Sequence, residues 1–254
     1  MDSTQKIALI TGGSRGLGRN SAIALSRKGF DIIITYHSRK EEAEAVVNEI
    51  KEHGQKAVAL KLDTGVVSSF EGFSSQLSDI LKEMWNREHF DILVNNAGFG
   101  IHSSINETTE EQFDRLMNVQ FKGVFFLSQK LFSKIADNGR IINISTGLTR
   151  FVIEGFGAYS AMKGAIEILT KYMAKEWGSR GIRVNVVAPG AIATDFGGGK
   201  VRDDSQMNEF VASNTALGRV GEADDIGGVV ASMCTDEMGW VNASRVEVSG
   251  GQLL

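Results

Sequence analysis

Short apolar runs alternate with amphipathic helical patterns along the whole chain, and this alternation restricts the fold more than any other feature. Lys6-Ile-Ala-Leu-Ile-Thr11 is continuously apolar, as expected of a strand buried on both faces of a parallel sheet. A helical pattern with Ala22, Ile23 and Leu25 follows and closes at Gly29, a suitable C′ residue. Further strands are expected at 31–36, 57–62, 91–94, 140–144, 182–187 and 245–248. The helices between them are expected at 40–53, 70–85, 110–135, 158–177 and 224–233. Uninterrupted alternation of this kind builds an α/β fold, one doubly wound parallel sheet with helices on both faces. No composition shift, linker or repeat marks a boundary, so residues 1–254 read as a single domain.

Composition narrows the function classes. A formal charge of −4 gives no basic bias, which argues against nucleic acid as a partner. Cys234 is the only cysteine, so neither an intramolecular disulfide nor a CxxC metal site is available. No apolar run approaches the ~20 residues of a membrane span, and the N-terminus enters the first strand without a signal-peptide core. None of His37, His53, His89 and His102 has metal-ligand spacing, so no metal is expected. The expectation is a cytoplasmic protein with no membrane partner.

Between the first strand and its helix lies Gly12-Gly-Ser14-Arg15-Gly16-Leu17-Gly18. Glycines at such a junction let the backbone approach a pyrophosphate, and the helix N-terminus offers free N–H groups and a positive dipole. At the end of the second strand an NAD site would place an acid to accept from the ribose 2′-hydroxyl. The chain has Tyr36-His37-Ser38-Arg39 there instead. Arg15, Ser38 and Arg39, with His37 beside them, suit a 2′-phosphate, so NADP(H) is the preferred cofactor and NAD(H) the alternative.

Tyr159 and Lys163 are one helical turn apart on a common face, so phenol and ammonium can share a small volume. A phenol titrates near ~10, and use near neutrality requires a shift of about 3 units, roughly 4 kcal/mol. A cation about 4 Å away supplies about that much at an effective dielectric of ~20. Lys163 is therefore expected to depress the phenol of Tyr159.

The glycine loop, Asn95-Asn-Ala-Gly98 after the fourth strand, the Tyr159/Lys163 pair and Pro189-Gly190 after the sixth strand together resemble the classical short-chain dehydrogenase/reductase family. The resemblance covers essentially the whole chain, with the motifs in the same order. It implies a seven-stranded Rossmann sheet and a homotetramer. It also implies that Asp63, with Thr64 beside it, meets the adenine, and that Asn95, Ala97 and Gly98 line the adenosine ribose. Pro189, Gly190, Ile192 and Thr194 would hold the nicotinamide side. Tyr159 would exchange a proton with the substrate oxygen, while Lys163 would bind the nicotinamide ribose and depress the phenol.

Two positions depart from the family pattern. The hydroxyl thirteen residues before the tyrosine is Thr146 rather than the second serine of a pair, and Ser145 is its neighbour. A threonine can still donate, and adjacent strand residues face opposite ways, so the role falls to Thr146 with Ser145 as the weaker alternative. The helix-kinking asparagine is replaced by Gln120, with Asn118 two positions earlier. The amide sits on a longer arm, so a relay water would be held differently.

Asp195-Phe-Gly-Gly-Gly-Lys200 opens an irregular stretch to about Leu217, read with the preceding residues as a substrate lid at about 190–217. Phe99, Leu148, Phe151, Phe156 and Phe196 fall beside the expected pocket and suggest an apolar or aromatic carbonyl substrate. Arg150 is a candidate receiver of an anionic group. The reading is an NADP(H)-dependent oxidoreductase interconverting a small-molecule ketone or aldehyde and an alcohol, with a 3-oxoacyl thioester as the most familiar substrate. The alternative is a cofactor-binding scaffold or regulator that has lost catalysis. A Rossmann-like methyltransferase is disfavoured, because it has no use for the Tyr/Lys helix.

Overall fold

A computed structural model describes residues 5–254; the first four residues of the expected 1–254 domain lie outside the described residues. Strands β1 (Ile7–Ile10), β2 (Asp31–Tyr36), β3 (Ala57–Lys61), β4 (Phe90–Asn95), β5 (Ile135–Ile144), β6 (Arg183–Pro189) and β7 (Arg245–Val248) form one sheet. Its order is β3-β2-β1-β4-β5-β6-β7, and every pairing is parallel. The strand order reverses between β1 and β4, which opens a crevice at their carboxyl ends, the usual ligand position in such sheets.

Period-two alternation sorts the strand residues onto two cores. Ala8, Ile10, Ile32, Ile34, Ile92 and Val94 face α1 (Gly16–Arg27), α2 (Lys40–Glu52) and α9 (Ala223–Met233). Ile7, Leu9, Ile33, Leu93 and Ile141 face α3 (Phe70–Trp85), α5 (Gly123–Leu131) and α6 (Gly157–Trp177). Both faces are buried, which is why the strands read as continuous apolar runs. Gly29 ends α1 at φ 89°, a left-handed conformation that costs little without a Cβ.

Two expectations need correction. The helix expected over 110–135 is not continuous. α4 (Glu110–Met117), opened by a Thr109/Gln112 capping box, runs into a π-helical turn at Asn118–Lys122 before α5 begins. A Cβ on Gly123 would lie 2.0 Å from the Thr64 carbonyl oxygen, so the helix passes directly over the turn after β3. Ile135, expected to end the helix, is the first residue of β5. The 195–217 stretch is also not irregular throughout. α7 (Lys200–Asp203) and α8 (Ser205–Ser213) occupy much of it, and Asp204 caps α8 by accepting from the Gln206 and Met207 N–H groups at 3.0 and 3.1 Å.

Candidate active site

The glycine loop leaves β1 with Gly12 at φ 66° and enters α1 through Gly16 at φ 54°. A Cβ at Gly18 would stand 2.2 Å from the Gly12 carbonyl oxygen, and one at Gly13 would stand 2.5 Å from Ile34. The loop is held from the β4 side by Asn96, whose Nδ2 donates to the carbonyls of Thr11 and Gly12 at 2.8 and 3.1 Å. The Thr11 hydroxyl oxygen accepts from the N–H groups of Asn96 and Ala97, each at 3.0 Å. α1 starts without a side-chain cap, so its first N–H groups are free to meet an anion. Thr194 faces the same loop, 3.9 Å from a Cβ built on Gly16.

Asn95 does not line this crevice with its side chain. Its Nδ2 donates inward, to Ser128 Oγ at 3.0 Å and Asn143 Oδ1 at 2.8 Å, and Asn143 donates in turn to Thr170. Adjacent residues at a strand end point opposite ways, so Asn96 faces the glycine loop instead.

Around the expected 2′-phosphate position, Arg39 pairs with Glu42, while Arg15 reaches Asp195 at 3.3 Å. His37 lies 3.3 Å from Asp63, whose other oxygen accepts from the Gly65 N–H at 2.8 Å. Thr64 is buried in the turn that follows. On the far side, Pro189 ends β6, Gly190 bonds the Val248 carbonyl, and Ile192 bridges to Gly221. The buried Gln252, unmarked by any motif, accepts from the Ala191 N–H at 2.9 Å.

The phenol of Tyr159 and the amine of Lys163 are both buried on α6. The Lys163 Nζ donates to the Ile144 carbonyl at 2.8 Å and lies 5.9 Å from the Tyr159 ring centroid. Burial pushes Lys163 down to about 7. Burial also pushes the phenol above its ordinary value, and a hydrogen bond from Thr146 opposes that rise. The expected depression of Tyr159 by Lys163 is therefore not built into the chain alone: desolvation outweighs attraction from an amine that is itself easily neutralised.

The two upstream hydroxyls part company. Thr146 is the hydroxyl that draws the phenol back down, and its Oγ1 accepts from the Leu148 N–H at 3.3 Å. Ser145 Oγ turns the other way and donates to Glu167 Oε1 at 2.7 Å. Gln120 is buried in the π-turn. Its Nε2 donates to the Phe99 carbonyl, while its Oε1 has no partner among the described residues. A Cβ on Gly98 would meet that Oε1 at 2.7 Å, so Gly98 is what gives the amide room.

Phe99, Leu148 and Phe156 pack around Tyr159, and the Phe196 ring stands 5.7 Å from it, centroid to centroid. Phe151 instead packs on Gly147, under the guanidinium of Arg150. Arg150 is not a free receiver for an anion. It grips Glu247 at 2.7 Å and donates to the Leu253 and Gln252 carbonyls. Burial pushes the Glu247 carboxyl up, yet Arg150 and Arg245 hold it at about 2. Cys234 is buried in the core, with its thiol pushed up to about 12 by burial.

Comparison with known proteins places this geometry. The family profile described as enoyl-(acyl carrier protein) reductase matches residues 12–252. A short-chain type dehydrogenase/reductase of Picea abies is 36% identical, over 98% of this chain and 92% of the relative. The promiscuous reductase LugOII, which catalyses keto-reduction at C1 during lugdunomycin biosynthesis, superposes with a TM-score of 0.93. It is 40% identical over 99% of both chains. The angucycline C-6 ketoreductase LanV, solved with bound NADP, superposes with a TM-score of 0.92 at 35% identity, over 98% of this chain and 95% of its own.

Proposed function

Because the chain belongs to the short-chain dehydrogenase/reductase family and is thereby an oxidoreductase, we propose that it reduces a ketone to an alcohol with NADP(H), using Tyr159 as the proton donor. The observation that carries this reading is the buried phenol of Tyr159, one turn from the equally buried amine of Lys163 on α6.

The residues present fit the cofactor. Gly12, Gly13 and Gly18 leave no room for a Cβ, and the uncapped start of α1 presents its N–H groups, which suits a pyrophosphate. In this reading Gly12, Ser14, Arg15, Gly16, Leu17 and Gly18 hold the pyrophosphate. His37, Ser38 and Arg39 meet the 2′-phosphate, with Arg15 reaching toward it. Asp63 and Thr64 meet the adenine, and Ala97 and Gly98 the ribose, with Asn95 supporting them from the core. Pro189, Gly190, Ile192 and Thr194 hold the nicotinamide end, and Lys163 its ribose. When bound, the cofactor supplies hydride to the carbonyl carbon.

Everything else is done by the chain. Tyr159 gives its proton to the substrate oxygen, and Thr146 donates a hydrogen bond to the same atom, so the developing alkoxide meets two donors already in place. Protonated Lys163 favours ionisation of the phenol and makes it the stronger acid. The unpartnered Gln120 Oε1 offers an acceptor to a water on the proton route. Residues 1–254 act as one domain, with 190–217 as the lid.

Phe99, Leu148, Phe156 and Phe196 favour a ketone on an aromatic or apolar frame, in keeping with the keto-reductions named for LugOII and LanV. A 3-oxoacyl thioester is the second substrate to test. Exposed Phe125 and Phe126 on α5, with Ile168 and Tyr172 on α6, give helix surfaces suited to a second copy, and a homotetramer is the proposed assembly. The deciding assay follows NADPH oxidation with aromatic ketones, aldehydes and β-ketoesters, with Tyr159→Phe as the control. Turnover that the control lacks supports the reading. Silence across the panel despite tight NADPH binding overturns it.

A further inference from the structure

Tyr159, Lys163 and Glu167 follow one another at single-turn intervals along α6, so a carboxylate stands below the phenol and the amine on the same helix face. Glu167 Oε1 gathers three donors: Ser145 Oγ at 2.7 Å, Thr149 Oγ1 at 2.7 Å and Arg245 Nε at 2.8 Å. The same guanidinium reaches further with its Nη2, to the Thr146 carbonyl at 3.2 Å and the Thr149 hydroxyl oxygen at 3.1 Å. Its Nη1 is fixed on Glu247 at 3.0 Å. The turn 145–149 is thus held at both ends by Glu167 and at the carbonyl between them by Arg245. Thr146, the hydroxyl that draws the Tyr159 phenol down, sits inside that clamp.

We propose that Glu167 and Arg245 are positioning residues that hold the Thr146 hydroxyl against the Tyr159 phenol; this inference rests on the carbonyl-reductase reading above. Thr146 Oγ1 accepts from the Leu148 N–H, which leaves its single proton free to donate to one oxygen outside the turn, the substrate's in this reading. That orientation survives only while the turn keeps its shape. The clamp uses the planarity of the guanidinium, with one edge on a carboxylate and the other on a backbone carbonyl, a pair of contacts that an ammonium on a flexible stem does not reproduce. Both side chains are a quarter exposed or less, so water replaces these contacts poorly. The partners come from β7, α6 and the turn after β5, so no local sequence pattern marks the device.

A merely structural ion pair and a positioning pair differ in their coupling to Thr146. Arg245→Gln is expected to lower kcat for ketone reduction about tenfold, since displacing a catalytic group by ~1 Å can cost ~100-fold, with NADPH affinity little changed and a lower melting temperature, because Glu167 and Glu247 lose a partner. In a Thr146→Ala background the same substitution should cost nothing further, because residues acting as one unit are not additive. Glu167→Gln should repeat the pattern, and Arg245→Lys should fail to restore kcat. Equal losses in both backgrounds, or an unchanged kcat, overturn the proposal.

A second readout stands apart from turnover. In protein labelled with 3-fluorotyrosine, the 19F resonance lost in Tyr159→Phe identifies Tyr159. Arg245→Gln should move it in the same direction as Thr146→Ala does. An unmoved resonance overturns the positioning role even if no ketone is reduced, whereas a moved resonance without turnover overturns only the carbonyl-reductase reading.

Discussion

Lys163 Nζ stands 5.9 Å from the centroid of the Tyr159 ring and donates to the Ile144 carbonyl at 2.8 Å. Amine and phenol are close enough to influence each other, yet both are desolvated, and each is pushed toward its neutral form. The linkage sign follows. Lys163 falls from an ordinary value of 10.5 to about 7 in the folded chain, so between those limits the unfolded state binds more protons and stability rises with pH. The slope from this one group is roughly 1.4 kcal/mol per pH unit. Above ~10 the raised phenol works in the opposite direction, since the unfolded chain then ionises first. Chemical denaturation from pH 7 to 10 should show the cofactor-free wild type gaining stability relative to Lys163→Met, with the difference closing as pH rises. A constant difference would remove the argument that Lys163 is buried at a cost.

Thr146 and Ser145 separate cleanly by partner. Thr146→Ala removes the hydroxyl proposed to donate to the substrate oxygen and should lower kcat about a hundredfold, as general-acid and oxyanion donors typically do. Thr146→Ser keeps a donor in place and should retain most turnover. Ser145→Ala removes one of the contacts to Glu167 and should cost less than Thr146→Ala. Initial rates on the three variants decide the placement, and a larger loss in Ser145→Ala would reverse it.

How much of this was legible in the sequence depends on whether a residue's partner is local. The strands were readable because both sheet faces are buried, so Ile7–Ile10 and Asp31–Tyr36 carry an apolar signal on every residue. Thr146 was the preferred hydroxyl because it stands thirteen residues before Tyr159, as in the family pattern, and strand alternation only set Ser145 on the other face. The same alternation acts on Asn95 and Asn96, but nothing local says which of the two faces the core; packing against Ser128 and Asn143 decides it. Arg150 looked free because Glu247 lies 97 positions away in sequence. The π-turn at Asn118–Lys122 runs into Gly123, which lies directly over the Thr64 carbonyl, a neighbour from another segment that the local pattern does not show. In the 195–217 stretch, Asp204 was a readable N-cap, but the three consecutive glycines before it dominated the reading.

Arg15 and Arg39 both have carboxylates in reach, Asp195 and Glu42 respectively. A 2′-phosphate on Arg39 is a charge-assisted contact, so Arg39→Ala should weaken NADPH binding about tenfold or more and leave NADH binding nearly unchanged. Asp195 acts the other way, because it competes for Arg15. An exposed pair of this kind is worth up to ~1 kcal/mol, so Asp195→Asn should tighten NADPH binding by no more than about fivefold. Fluorescence titration of each variant with both nucleotides checks the pair. Equal weakening for NADPH and NADH in Arg39→Ala would remove the basis for the NADP(H) preference.

Phe196 links the 196–199 glycine turn to Tyr159. Its ring lies 5.7 Å from that of Tyr159, and its edge rests where a Cβ on Gly100 would come within 2.7 Å. Gly197, Gly198 and Gly199 follow at φ 62°, 76° and 77°, a run of left-handed residues that only glycine adopts readily. Phe196 remains 44% exposed, so its outer face is available to a ligand. An aromatic contact of this kind is worth ~0.5–1.5 kcal/mol beyond the area it buries, which corresponds to about tenfold in affinity once burial is included. Phe196→Ala should therefore raise KM for aromatic ketones about tenfold while leaving KM for small aliphatic ketones near its wild-type value. kcat should stay close to normal, because Thr146 is held in the turn after β5, and Tyr159 and Lys163 on α6, rather than by residues 196–199. Steady-state kinetics on paired aromatic and aliphatic ketones make the test. A proportional rise in KM for both would show that Phe196 shields the site without selecting what enters it.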